Sequence, residues 1–151
     1  MYPNGRHFLL NPNAPEGTAR YPHARKISRL NHMTIYVSGI AAVAPDGTYD
    51  GVVEHSDGTY TCDIRKQTEA VLKRIDTIVE GASNGAGNIK NVIDAVVYLT
   101  DMKGDYAGMN EEWNKVFPSR KVAPARATVG VSELPDSRFV VEIKVVAVVD
   151  L

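Results

Sequence analysis

Along the chain the spacing of apolar residues changes period several times, and each change marks an element. Met33 to Val43 and Val92 to Leu99 read as strands, and the second, with almost no polar residue, is predicted at the centre of a sheet. From Asp63 the period becomes 3.6. Ile64, Thr68, Val71, Leu72, Ile75, Ile78, Val79 and Ala82 fall on one stripe, Thr61 or Asp63 can serve as N-cap, and the run from Gly81 to Asn88 ends the helix. A second helix is predicted over roughly Asp105 to Phe117 from the spacing of Tyr106, Met109, Trp113 and Phe117, with Pro118 blocking its continuation. Pro45-Asp46-Gly47 supplies turn chemistry after the first strand, Thr48 to His55 is predicted to return as its partner, and Ser56-Asp57-Gly58 closes that hairpin.

Near the C-terminus, Pro124 to Val131 and Phe139 to Val148 flank the turn Leu134-Pro135-Asp136-Ser137 and predict a second hairpin. Alternation puts Ala125, Ala127, Val129 and Val131 on one side of the first arm, and Phe139, Val141, Ile143, Val145 and Ala147 on one side of the second. Pairing these sets against one core gathers Arg126, Thr128, Glu142 and Lys144 on the opposite face. Val140, Val146 and Val148 share that face, so it is expected to be covered, with the ionised groups in a partly buried, subunit-lined place. The order ββ-α-β-α-ββ predicts an α+β fold: a single mixed sheet, two helices on one face, and oligomerisation through the other. Residues 1–20, rich in Asn, Pro and Gly, read as an N-terminal arm, and 21–151 as one domain. Tyr21 to Ile27 is a candidate edge strand because Pro22 cannot donate to a ladder.

With 17 Lys+Arg against 18 Asp+Glu, the chain lacks the electrostatic footprint of a nucleic-acid binder. Cys62 is its single cysteine, which rules out an intramolecular disulfide and fits a reducing compartment. No apolar run approaches a membrane span and Met1 to Arg6 lacks the apolar segment of a signal peptide, so a cytoplasmic protein is expected. His7, His23, His32 and His55 have no metal spacing, and neither metal nor cofactor is expected. Cys62, at a predicted helix N-terminus, is read as an inert thiol despite the lowering such a position brings. The glycine-rich run after the first helix stands in the wrong order for a phosphate cradle.

Taken together, Tyr36-Val37-Ser38-Gly39, Gln67-Thr68, Tyr98-Leu99-Thr100-Asp101-Met102, Met109-Asn110-Glu111, Pro124 to Val131, Leu134-Pro135 and Val141-Glu142-Ile143 resemble the Rid family, the YjgF-type imine and enamine deaminases. The markers run in the family's order from about Tyr21 to Val149. The resemblance implies a chorismate-mutase-like fold and trimers, or dimers of trimers, whose sheets face inward and whose active sites lie between subunits. Tyr21-Pro22-His23-Ala24 and Asp63 to Thr68 look most like the 2-aminomuconate deaminase branch. Carried over residue by residue, the resemblance implies a catalytic set of Glu142, Arg126 and Tyr21: Arg126 grips a carboxylate, Glu142 orients water and Tyr21 closes the pocket. Ser38, Gly39, Thr128, Asn110 and His23 would line it. The chain departs from many members in having Thr128 where they have Cys, and Pro22-His23 where they have Ser-Gln.

Each of these residues has a structural alternative. Arg126 and Glu142 could pair only with each other, Tyr21 could simply pack, Asn110 could cap a backbone group, and Lys144, Arg65 or Arg25 could be solvated, paired, or hold a second carboxylate. The function expected is a cofactor-free deaminase that hydrolyses a carboxylate-bearing enamine or imine, 2-aminomuconate first, to a 2-oxo acid and ammonia. A non-catalytic small-metabolite binder using the same Arg cleft is the alternative. An RNA-cleaving inhibitor of translation is disfavoured by the charge and the lack of a His pair for acid and base work.

Overall fold

The computed structural model describes residues 2–8, 13, 24–26 and 31–150. Two short strands, β1 (Arg6–Phe8) and β2 (Ala24–Lys26), pair antiparallel as a separate ribbon. Part of the expected arm is therefore an element, and it is anchored: Asn4 is buried and its Nδ2 donates to the carbonyls of Val92 and Val122 at 3.0 and 2.8 Å. β3 (His32–Ala41) follows, then β4 (Val52–Glu54) and β5 (Tyr60–Cys62), which pair with each other. The predicted return of Thr48 to His55 onto the first strand is not made. Only an isolated Val43–Tyr49 bridge joins them, because the chain reverses through Gly51 at φ +65° and spends its pairing groups on β5.

α1 (Ile64–Ala82) carries the expected stripe, with Ile64, Thr68, Val71, Leu72, Ile75 and Val79 buried. Its N-cap is Asp63, whose carboxylate accepts from the N–H groups of Arg65 and Lys66. A 3₁₀ turn leads into β6 (Val92–Leu99), the predicted central strand. α2 (Met102–Val116) begins three residues before the expected start, because Asp101 caps it through the Gly104 N–H. The two helices approach closely at Gly108, where a Cβ would stand 2.8 Å from Ile64. β7 (Ala125–Gly130) and β8 (Val141–Asp150) complete the chain.

The main sheet is four-stranded and mixed, in the order β3-β8-β6-β7. β6 pairs parallel with β7 and antiparallel with β8, and β8 pairs antiparallel with β3. The predicted C-terminal hairpin is therefore absent: β6 stands between its two arms, and β7 is an edge strand. Val37, Val145 and Ala95 lie side by side across three strands and are buried, as are Val97, Leu99, Val141, Ile143 and Ala147. This face receives the helices, and Trp113, Phe117, Met109 and Ile75 fill the space between. The opposite face carries Tyr36 beside Val146, and Val129 beside Tyr98. Tyr36 and Val129 are 76% and 40% exposed there, large apolar surface that neither α1 nor α2 covers.

Candidate active site

Arg126 is the second residue of β7. Its register partner is Ala95, which in turn opposes Val145, so its side chain emerges on the helix-covered face. There α2 receives it. The Nη2 group donates to Asn110 Oδ1 at 2.8 Å, Nη1 lies 3.7 Å from Met109 Sδ, and the guanidinium sits over the Trp113 ring, 4.7 Å from its centroid. Met109, Asn110 and Trp113 follow i, i+1, i+4 spacing, which presents them on one side of a helix. Asn110 is 2% exposed. Its oxygen is committed to Arg126 while its Nδ2 is buried with no acceptor among the described residues, so the amide serves the guanidinium instead of capping backbone. Thr128, two residues on, is half-buried on the same face.

Glu142 belongs to the other face. Its cross-strand partners are Ala41 and Tyr98, and Tyr98 opposes the exposed Val129. The sharing of one face by Arg126 and Glu142, expected from the hairpin, is thus overturned: alternation holds within each strand, but inserting β6 between them changes which residues align. Two strand spacings and three residues of rise separate the two Cα positions by about 14 Å, before the opposite side-chain directions are added. No Arg126–Glu142 ion pair can form within one chain.

What accompanies Glu142 is the end of β3. The ladder between β3 and β8 shifts register between Val37 and Ile40, a bulge that turns out the extra residue at Ser38-Gly39. Both are exposed. The Glu142 carboxylate lies against Gly39 so closely that a Cβ there would stand 2.2 Å from Oε1. Any larger residue at this position would push the carboxylate away. Among the described residues the carboxylate has no hydrogen-bond donor, which leaves both oxygens for an external partner. Lys144, exposed on the same side of β8, is two residues away.

Sequence reasoning missed the residues that hold these groups. Gln67, fully buried on α1, donates from Nε2 to the Arg138 carbonyl at 2.7 Å and accepts from the Val140 N–H at 3.0 Å, fixing the segment that enters β8 just before Glu142. Asp136 takes a two-point ion pair from Arg138 at 2.8 and 2.6 Å and a hydrogen bond from the Tyr49 hydroxyl at 3.0 Å. The side-chain hydrogen bonds from Arg138, followed by its backbone N–H, hold the Asp136 carboxyl well below the usual carboxylate range. Arg138 also stacks on Tyr49, 3.7 Å from its ring centroid. The signal available in the sequence was a polar residue on an apolar stripe, Gln67 beside Thr68, which marks a buried group in need of a partner.

Tyr21 and His23 lie outside the described residues. Arg65 is committed to Glu111 through two contacts of 2.6 and 2.8 Å, so it offers no second carboxylate site. Cys62 donates to the Arg138 carbonyl at 3.6 Å, and burial first, then the Asp105 and Asp136 charges, push its thiol up. This agrees with an inert cysteine and reverses the lowering expected of its position. Among the described residues no three His, Cys, Asp or Glu side chains come together in reach of one metal ion, and no helix is long and apolar enough to cross a membrane.

The sequence model of the family described as Endoribonuclease L-PSP matches residues 11–149. A RutC family protein of Pyrococcus horikoshii is 31% identical over 142 residues, covering 94% of this chain and 97% of its own. One from Aquifex aeolicus is 29% identical over 140 residues, 93% and 97% of the two chains. Among solved structures, a Rid-family protein of Yersinia pestis superposes with a TM-score of 0.75 over 95% of this chain and 98% of its own, at 19% identity, a likeness of fold. Two helices on a mixed sheet, a family model matching residues 11–149 and relatives matching almost end to end agree: the chain belongs to the Rid family of YjgF-type proteins.

Proposed function

We propose that the chain is a hydrolytic deaminase of carboxylate-bearing enamines or imines, with 2-aminomuconate the first substrate to test, and that its site is completed between two copies. Family membership supports a deaminase or small-molecule-binding role in general. The observation that carries the finer reading is the division of labour within one chain. Arg126 is braced on α2 beside the edge strand β7, and Glu142 stands with Gly39 and Ser38 beside the opposite edge strand β3. Packing the open sheet face of one protomer, which carries Glu142 and Tyr36, over the β7 edge of the next would bring the two halves together and cover apolar surface on that face, as a closed trimer or a dimer of trimers requires.

In such a site the Arg126 fork binds the carboxylate next to the reacting carbon. The enamine tautomerises to the imine, Glu142 orients a water and takes its proton as oxygen adds to the imine carbon, and the carbinolamine collapses to the 2-oxo acid and ammonia. These residues need no cofactor or metal for that sequence. The branch reading comes from Tyr21-Pro22-His23-Ala24 and Asp63 to Thr68; within the second segment Asp63 caps α1 and Gln67 braces β8, both folding roles. Measuring ammonia release across 2-aminomuconate and simple 2-iminoacids, with light scattering of the same sample, tests the reading. An active monomer removes the shared site, and carboxylate binding with no ammonia from any substrate leaves the small-metabolite binder. The ribonuclease activity in the family model's description finds no support in a chain of formal charge −1.

A further inference from the structure

Trp113 is the chain's single tryptophan, and none of its surface is exposed. A buried indole ordinarily finds an acceptor for its N–H, yet the Nε1 of Trp113 has none among the described residues. A phenyl ring would pack there without that cost, so the indole supplies something besides volume. One edge of its environment is Phe117, with ring centroids 4.7 Å apart. Over its face lies the Arg126 guanidinium, 4.7 Å from the centroid. Tryptophan has the aromatic face most attractive to a cation, and the attraction grows as water is excluded.

Asn110, one helical turn earlier, fixes the same guanidinium from a second direction through Nη2. Nη1 also lies 3.7 Å from Met109 Sδ, and a thioether is a weak acceptor. A carboxylate oxygen is a far stronger acceptor than a thioether, so it displaces the Met109 contact while ring and amide keep the fork in place.

We infer that Trp113 is a positioning residue, which with Asn110 holds the Arg126 fork ready for a carboxylate, and that its emission reports when the fork is engaged. The inference rests on the reading of Arg126 as a carboxylate clamp and is independent of the deamination step.

Pyruvate, which has the carboxylate and no amine to lose, is the probe. Titration of the full chain by calorimetry and by tryptophan emission should give one saturable transition with a common midpoint. Trp113→Tyr keeps an electron-rich face and should bind pyruvate within about threefold of the wild type, whereas Trp113→Met keeps apolar bulk without the face and should bind about tenfold more weakly. In turnover the Met variant should raise KM and leave kcat nearly unchanged. Arg126→Lys, which leaves Trp113 untouched, should abolish the emission change and keeps the test decisive if Trp113→Met fails to fold. Unaltered pyruvate affinity in a folded Trp113→Met protein, an emission change that survives Arg126→Lys, or a wild type that binds no pyruvate would each overturn the inference. Normal ammonia release together with any of these discards the positioning role alone. A pyruvate-dependent emission change in a protein that releases no ammonia discards the deaminase and leaves the clamp.

Discussion

Gly39→Ala is the sharpest probe of the Glu142 half of the site. Gly39 lies in ordinary extended backbone, since it is not among the glycines of positive φ, so alanine brings no conformational strain. What it brings is one carbon 2.2 Å from Glu142 Oε1 and 2.8 Å from Cδ. A carbon–oxygen contact settles at about 3.3 Å, so the carboxylate must retreat by about 1 Å. A misplacement of that size in a reacting group costs about 10²-fold in rate, equivalent to about 2.7 kcal/mol in the barrier. The expected outcome is a folded oligomer whose kcat for ammonia release falls about 10²-fold while carboxylate binding at Arg126 is retained. Gly81→Ala, where nothing lies within 4 Å of the added carbon, is the matched control. It should leave kcat unchanged and gain roughly 0.5–1 kcal/mol of stability from the better helix former. If Gly39→Ala turns over within about threefold of the wild type, the Glu142 carboxylate does not act from the position described and its role as water-orienting group is wrong.

Glu142→Gln keeps the size of the side chain and removes the base, so kcat should fall by about 10²–10⁴-fold with pyruvate affinity preserved; steady-state ammonia release alongside calorimetry separates the two effects. Gln67→Leu leaves the Arg138 carbonyl and the Val140 N–H without their buried partner, at about 1–3 kcal/mol each, and should lower the thermal midpoint by several degrees in calorimetric unfolding. Asp136 binds its proton less readily in the folded protein than in the unfolded chain. Its contribution to stability is complete above the unfolded pKa of about 3.9 and is lost as pH falls below it, so Asp136→Asn should flatten the acid limb of a melting-temperature profile. An unchanged limb in that variant would assign acid lability to other carboxylates.

Features set by a few residues in sequence were legible in the chain. The α1 stripe, its Asp63 cap and the mostly apolar β6 each follow from a local pattern, and all three are as expected. Strand neighbours were not legible. Alternation correctly divides β8 into Val141, Ile143, Val145 and Ala147 against Glu142, Lys144 and Val146, but only pairing decides which set of β7 residues joins them. Consecutive strands joined by a turn usually pair, and the run through Leu134-Pro135-Asp136 invites that reading. Here a tether of Gln67, Asp136, Arg138 and Tyr49 carries the chain past β7 to the far side of β6. The site residues Arg126, Asn110, Ser38, Gly39 and Glu142 were named from motifs, yet their division between two faces depends on that same long-range pairing.

Because β8 sits between β3 and β6, the sheet is closed by the strand that leaves the ribosome after every other strand of the sheet. Until residues 141–150 emerge, β3 has no neighbour in the main sheet, and the apolar faces of β3 and β6 wait for a partner not yet synthesised. Such late, non-local closure is slow and leaves sticky edges open meanwhile. The closing strand also carries Glu142, which meets Gly39 only when that strand docks, so the pairing of these two residues reports that the sheet is complete.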